Sequence, residues 1–197
     1  MKERSTLEVS PYVEWCDFFD DKTPYRWGAV LVSLFDMPQG PRIALILRPE
    51  SMKIHGGQVA FPGGSVDIGD RTPWDTACRE AYEEIGITEK DLVYMGCLSP
   101  EDVLVSRFKV VPVLARGARY MTEKDFRPSP QEVSRLIFCD PTGISSNPVT
   151  VEGEYKGTRY DYPVYPLEEG IDIWGATARI LRRALDSGIL SFDGLKS

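Results

Sequence analysis

Three glutamates, Glu80, Glu83 and Glu84, crowd into "REAYEE", with Arg79 directly before them. On a helix of 3.6 residues per turn they stand at i, i+3 and i+4 and share an arc of roughly 100°. Like charges that close repel, at a few tenths of a kcal/mol per pair on a solvated helix. A divalent cation turns that cost into a binding site. Oxygen donors with no histidine or thiol beside them favour a hard ion, and Mg²⁺ binds through one or two carboxylates together with waters and substrate phosphates. Arg79 can orient a carboxylate by two-point contact or neutralise surplus charge. The competing reading is a solvated acidic helix face, the commoner origin of such charge runs.

The elements around the glutamates tip the balance toward a site. In "GGSVDIGDRTPWDTACREAYEEIG", Gly63 and Gly64 allow backbone to approach a ligand closely, and Thr72, Pro73 and Asp75 supply an N-cap, a first helical residue and an anion in the first turn. Ala77, Ala81 and Ile85 recur every four residues as an apolar stripe, with the glutamates away from its centre, and Gly86 is placed as a left-handed cap. The stretch predicts a glycine loop feeding a helix over 72–85.

Upstream, "RWGAVLVSLF" and "RIALILR" predict two strands joined by a long connection through "DMPQGP", and "GQVAFPGG" predicts one more short strand that stops at Pro62 in a loop. The first 25 residues are mixed, with "VEWCDFF" a short helix. Downstream, "LVYMGCL", "FKVVPVLA" and "EVSRLIFCD" predict strands, and "YDYPVYPL" a weaker one. Asp172 is placed to cap a last helix, "IWGATARILRRALDS", with Trp174, Ala178, Leu181 and Leu185 as its apolar stripe and Gly188 at its end. Strands flank two helices without regular alternation, which predicts an α+β, mixed-sheet layered domain over 1–197, with 1–25 as an N-terminal extension.

Composition narrows the function. Of 197 residues, 42% are hydrophobic and 27% charged, ordinary for a soluble globular chain. No apolar run approaches the roughly 20 residues of a membrane span, and "MKERSTLEVS" lacks the core of a secretory signal, so a cytoplasmic protein with no membrane partner is expected. A net charge of −7 opposes nucleic-acid binding. Cys16, Cys78, Cys97 and Cys139 are scattered, which fits reduced, packed thiols. A single histidine, His55, leaves acid-base chemistry to carboxylates. Trp27, Trp174 and Phe61 are expected in the core, not as a base-stacking platform.

"GGSVDIGDRTPWDTACREAYEEIGI" resembles the Nudix box, G-x5-E-x7-R-E-U-x-E-E-x-G-U with U aliphatic, of metal-dependent hydrolases that cleave a diphosphate linked to another moiety. Arg79, Glu80, Ala81, Glu83, Glu84, Gly86 and Ile87 match. The left half departs: Gly64 lies one residue too far from Arg79, and Asp70 or Asp67 stands where a glutamate is expected. "RPESMKIHGGQVAFPGGSVDIGD" is similar to the coenzyme A pyrophosphatase subgroup, which carries this longer loop. Arg48, Gly57, Val59, Phe61, Pro62, Gly63 and Gly64 fit, whereas Leu47, Pro49 and Lys53 replace a threonine, a serine and an arginine. The closing "IWGATARILRRAL" also resembles that subgroup.

The resemblance implies an α/β/α sandwich with a Nudix-type mixed sheet, and hydrolysis of a small-molecule diphosphate with Mg²⁺ or Mn²⁺. Glu80 and Glu84 are the first choices for direct ligands, with Glu83 a ligand through water or the partner of Arg79. The general base is expected either from the box itself or from a downstream loop, where Glu132 in "SPQEVSRL", or Glu101 and Asp102 in "SPEDV", is the candidate. Arg48 and Lys53 are expected at substrate phosphates, with Gly57, Gly63 and Gly64 lining the substrate. Coenzyme A or an acyl-CoA is the leading substrate, ahead of ADP-ribose, a dinucleotide or a nucleotide sugar. A non-catalytic nucleotide-sensing module and a homodimeric assembly stay open.

Overall fold

A strand whose two faces are both covered should be apolar throughout, and β1 (Arg26–Met37) is such a strand. Its Ala29, Leu31 and Phe35 enter one hydrophobic cluster, while Val32 and Leu34 enter a second on the opposite face. The computed structural model describes residues 14–15, 26–52, 55–103, 107–145, 148–155, 158–167 and 170–188. After β1 come β2 (Gly40–Leu47), β3 (Val59–Ala60), β4 (Gly63–Ser65), α1 (Pro73–Ile85), β5 (Leu92–Cys97), β6 (Glu101–Val103) and β7 (Phe108–Gly117). Then follow β8 (Arg135–Cys139), α2 (Pro141–Ser145), β9 (Val149–Tyr155), β10 (Thr158–Pro166), β11 (Asp172–Ile173) and α3 (Gly175–Asp186).

The main sheet runs β3-β2-β1-β7-β5, with β4 also paired to β1, β6 to β7 and β8 to β2. Only β1 and β7 pair in parallel, from Arg26↔Phe108 to Leu34↔Arg116; the other described pairs are antiparallel. Ala77, Cys78, Ala81 and Ile85 of α1 cover one face, and Ala178, Ile180, Leu181 and Ala184 of α3 cover the other. The expected sandwich of a mixed sheet between helices is the observed architecture. A smaller sheet, β11-β10-β9, adjoins α3. Among the described residues no helix is long and apolar enough to cross a membrane.

Several expectations need correction. The β1–β2 connection is a tight turn, since Met37 pairs with Gly40 around Pro38 and Gln39. Gly63 and Gly64 belong to β4, antiparallel to β1, because glycines alone fit where Gly63 packs on the Val30 backbone. Asp172 lies in β11, and Trp174 is the N-cap of α3 without a side-chain bond; its indole is about half exposed, outside the apolar stripe. β10 pairs on both sides despite its two prolines, and β6, β9 and β11 are further strands. Of "VEWCDFF", only Glu14 and Trp15 lie within the described residues.

Cys78, Cys97 and Cys139 are buried thiols; Cys16 lies outside the described residues. Burial, with Glu89 and Asp75 nearby, pushes the Cys78 thiol up to about 12. A Cys16→Ser protein at pH 8 is therefore expected to show no thiol reacting with Ellman's reagent until denaturant is added, because the thiolate is the nucleophile. Prompt labelling of one thiol in the folded protein would contradict this packing.

Candidate active site

Local chemistry builds α1 as expected. Thr72 Oγ1 accepts from the Asp75 N–H and the Asp75 carboxylate accepts from the Thr72 N–H, a reciprocal capping box, and Gly86 closes the helix at φ 73°. The chain after β7 then folds back over the helix C-terminus. Arg127 N–H donates to the Ile85 carbonyl and Ser129 N–H to the Glu84 carbonyl, each at 2.8 Å. Two of the last carbonyls of α1 are thereby satisfied, and the turn that carries Glu132 is brought against the glutamate row. Its β8 begins only at Arg135, three positions later than expected for that segment.

The three glutamates do not share one solvated face. Glu84 is 2% exposed and turns inward: its Oε2 accepts from the Gly63 N–H at 2.9 Å, and its Oε1 lies 3.5 Å from Arg48 Nη1. Burial raises the Glu84 carboxyl to about 8, against the pull of Gly63 and Arg48 and with the charges of Glu80 and Glu132 adding to the rise. Glu80 packs directly on Gly64, where a Cβ would stand 2.5 Å from its Cδ. Burial also raises Glu80, opposed by Arg79 and reinforced by Glu83 and Glu132. Glu83, 48% exposed, is the outermost of the three.

Arg79 has two ends with different tasks. Nε and Nη2 are anchored on Asp70, with Nη2 at 2.9 Å from Oδ2, and Nη2 also donates to the Ser65 carbonyl at 2.8 Å. Nη1 holds Glu80 at 2.8 Å and Glu83 at 3.2 Å. Of the two aspartates that stand where a glutamate was expected, Asp70 takes the arginine, while Asp67 Oδ1 accepts only from the Ile68 N–H among the bonds described. With Arg79 drawing two glutamates aside and Glu84 turned to Gly63, no three carboxylates among the described residues converge tightly as they stand.

Other expected residues scatter. Glu101 is committed elsewhere: its oxygens accept from Arg179 at 2.6 Å and Arg183 at 3.1 Å, fastening β6 to α3, and Asp102 faces Lys109 at 3.8 Å. That leaves Glu132 as the base candidate beside Glu80 and Glu84. Gly57, at φ 71°, lies in the turn that returns the chain to Arg48, its N–H donating to the Arg48 carbonyl at 3.1 Å. Arg48 Nε has no partner among the described residues. His55 Nδ1 lies 3.0 Å from Gln58 Oε1. Phe61 is core, and Trp27 packs against the core edge-on to Trp15. Lys53 lies outside the described residues. Asp70 and Thr76 were the residues missed as supports; the mismatch at the left of the box was the signal that pointed to Asp70.

The sequence pattern of the NUDIX domain matches residues 24–172. The chain belongs to the Nudix family. "Uncharacterized Nudix hydrolase NudL" of Pectobacterium atrosepticum is 34% identical over 160 residues, 80% of each chain, and the NudL of Salmonella paratyphi B is 35% identical over 170 residues, 83% of this chain and 84% of that one. Among solved structures, the Nudix hydrolase RenU of M. smegmatis covers 83% of this chain and 87% of its own at 20% identity and a TM-score of 0.54. The MutT protein of Methanosarcina mazei Go1 covers 85% and 97% at 18% identity and a TM-score of 0.55. These two show the fold. The protein is thus a Nudix pyrophosphohydrolase, and its carboxylate-rich helix with the adjoining glycine strand is where that chemistry is sought.

Proposed function

We propose that this Nudix hydrolase cleaves coenzyme A or an acyl-CoA at the diphosphate, giving 3′,5′-ADP and the corresponding 4′-phosphopantetheine. The observation that carries the reading is the seating of the Arg48–Gly64 segment, the part similar to coenzyme A pyrophosphatases, directly on Glu84 through Arg48 and Gly63. Family members use divalent metals, and the donor set here fits one. Glu80 and Glu84 are oxygen donors one turn apart, both raised by burial with incomplete neutralisation, a condition that a hard cation relieves. We assign Glu80 and Glu84 as its ligands, with Glu83 as an outer contact. Mg²⁺ or Mn²⁺ held there would neutralise charge on the diphosphate and acidify a water.

The chain's own groups supply the rest. Arg79 Nη1 neutralises Glu80 and Glu83, a task that a bound cation would share. Arg48 turns Nη1 to Glu84, and its partly exposed guanidinium is suited to a phosphate oxygen. Glu132 accepts the proton of the attacking water. Gly63 and Gly64 let the diphosphate lie against backbone, with Gly57 shaping the approach and Lys53 adding a cation. The three buried thiols support a cytoplasmic setting, one domain over 1–197 is the simplest organisation, and a homodimer is the assembly to look for.

The substitutions Leu47, Pro49 and Lys53 favour a second reading, with ADP-ribose, a dinucleotide or a nucleotide sugar as substrate. A panel of these compounds and coenzyme A, ranked by kcat/KM with Mg²⁺ and with Mn²⁺, separates the two. Coenzyme A is expected to rank first; no turnover of it alongside cleavage of another diphosphate would transfer the assignment. Binding without cleavage of any would point to a sensing module.

A further inference from the structure

Arg79 controls two of the site's three glutamates, and what controls Arg79 reaches beyond the box. Thr76, fully buried on α1, places its Oγ1 2.9 Å from Asp70 Oδ2, the same oxygen that receives Arg79 Nη2. On its other side Thr76 Oγ1 meets Trp15 Nε1 at 3.1 Å. Trp15 is itself buried, with its main-chain N–H bonded to the Arg71 carbonyl at 3.1 Å and its ring edge-on to Trp27.

The polarity of this chain of bonds is fixed by what each group can do. An indole N–H only donates, so the hydroxyl must accept from Trp15. An ionised carboxylate only accepts, so the hydroxyl's single hydrogen must go to Asp70. Burial works against ionisation of Asp70, but bonds from Arg79, the Asp67 N–H and Thr76 hold its carboxyl below the usual range. A threonine in a helix can otherwise turn its hydroxyl back to the carbonyl four residues earlier; here the Thr76 oxygen accepts from the indole instead.

We propose that Trp15 and Thr76 are positioning residues for the metal site, acting through Asp70 on Arg79. With Glu80 engaged by a cation, the Arg79 guanidinium would have to stay on Asp70 and Ser65 instead of following the glutamate. The Thr76 hydroxyl stabilises the Asp70 charge that keeps it there. Residue 15 lies upstream of the matched span 24–172, so the support of the site draws on a residue outside that span.

The inference rests on the assignment of Glu80 and Glu84 as metal ligands, and the experiment separates the two. Mn²⁺ affinity is measured on the full chain by electron paramagnetic resonance for wild type, Glu84→Gln, Thr76→Val, Thr76→Ser and Trp15→Phe. Loss of a supporting bond behind a ligand costs roughly 10-fold in metal affinity, the effect expected for Thr76→Val. Thr76→Ser, which keeps the hydroxyl, should restore wild-type binding, and Trp15→Phe should fall between. Wild-type Mn²⁺ affinity in Thr76→Val and Trp15→Phe would overturn the relay while leaving the metal assignment intact. Binding that Glu84→Gln does not weaken would overturn the assignment itself, and the relay with it. Should Thr76→Val not fold, Trp15→Phe against Thr76→Ser carries the same comparison.

Discussion

A Glu84→Gln protein is expected to lose catalysis by at least ~10³-fold and yet, free of metal at pH 8, to melt higher than wild type. The loss follows from removing a proposed ligand where several kcal/mol of transition-state stabilisation is at stake. The gain follows from burial. An ordinary glutamate titrates near 4.5, and Glu84 in the fold near 8. Its contribution to stability is complete below pH 4.5 and is lost as pH rises through about 8, a difference on the order of 5 kcal/mol. Glu80 shifts in the same direction. Asp70, Asp91, Asp125 and Asp140 shift downward from 3.8, so the stability they add is fully present above about pH 5 and is lost only as pH falls below it, which leaves the interval from 5 to 8 to the glutamates.

The substituted amide carries no charge to bury and can still accept from the Gly63 N–H. Calorimetric melts of metal-free protein should therefore fall from pH 5 to pH 8 for wild type and fall less steeply for Glu84→Gln, in which Glu80 alone of the pair still titrates. At about 2–4 °C per kcal/mol, the separation at pH 8 should approach 10 °C. Mg²⁺ should close that gap by raising the wild type alone, through binding to the folded state. A Glu84→Gln enzyme with wild-type kcat, or two melting profiles that run parallel with pH, would refute the role given to this carboxylate.

The adjacent glycines should fail in opposite ways. An alanine at Gly63 would drive its Cβ into the Ala29 carbonyl and to 2.6 Å from Val30 Cα, both backbone of β1. Neither can yield, so Gly63→Ala is expected to cost about 3 kcal/mol or more and to break the β1–β4 pairing. At Gly64 the three atoms nearest the added Cβ all belong to the Glu80 carboxylate, the far end of a flexible side chain held by Arg79 Nη1. Gly64→Ala should fold with a near-normal melting temperature while Glu80 is pushed from its place. A misplacement of about 1 Å at a reacting centre costs on the order of 10²-fold, the fall in kcat/KM expected here. Circular dichroism melts together with kcat/KM test the contrast. Equal stability of the two variants, or full activity in Gly64→Ala, would count against it.

How much of this was readable from residues alone depends on how local each cause is. The helix at 73–85 was legible because Thr72, Pro73, Asp75 and Gly86 act within a turn of the positions they cap. β1, β2 and β7 were legible because a strand covered on both faces is apolar along its length. The short strand expected in "GQVAFPGG" is β3, whereas the two-residue β11 and the glycine strand β4 have no side-chain pattern and exist through their partners. The burial of Glu84 was not legible either. Periodicity sends charges away from the core, whereas here Gly63 and Arg48, distant in sequence, supply the bonds that let one in. Glu101 reads as free for catalysis because Arg179 and Arg183, which bind it, come from the far end of the chain. "TEKD" occurs at 88–91 and at 122–125, and each copy forms the same Asp-to-Thr turn, with Arg119 bridging Asp91 and Asp125.

The parallel pairing of β1 with β7 dictates when the site can assemble during synthesis. Arg26 pairs with Phe108, so β1 waits on residues made 82 positions later, and the box helix and glycine strand lie between the two. At about 5–20 residues per second, a ribosome that has just made Gly86 needs roughly 2–6 s more to reach Gly117. Throughout that interval the carboxylate cluster exists as sequence on a β1 that lacks its longest partner. Closing so large a loop is slow, which makes the acidic helix a late arrival in folding although its own caps are among the most local signals in the chain.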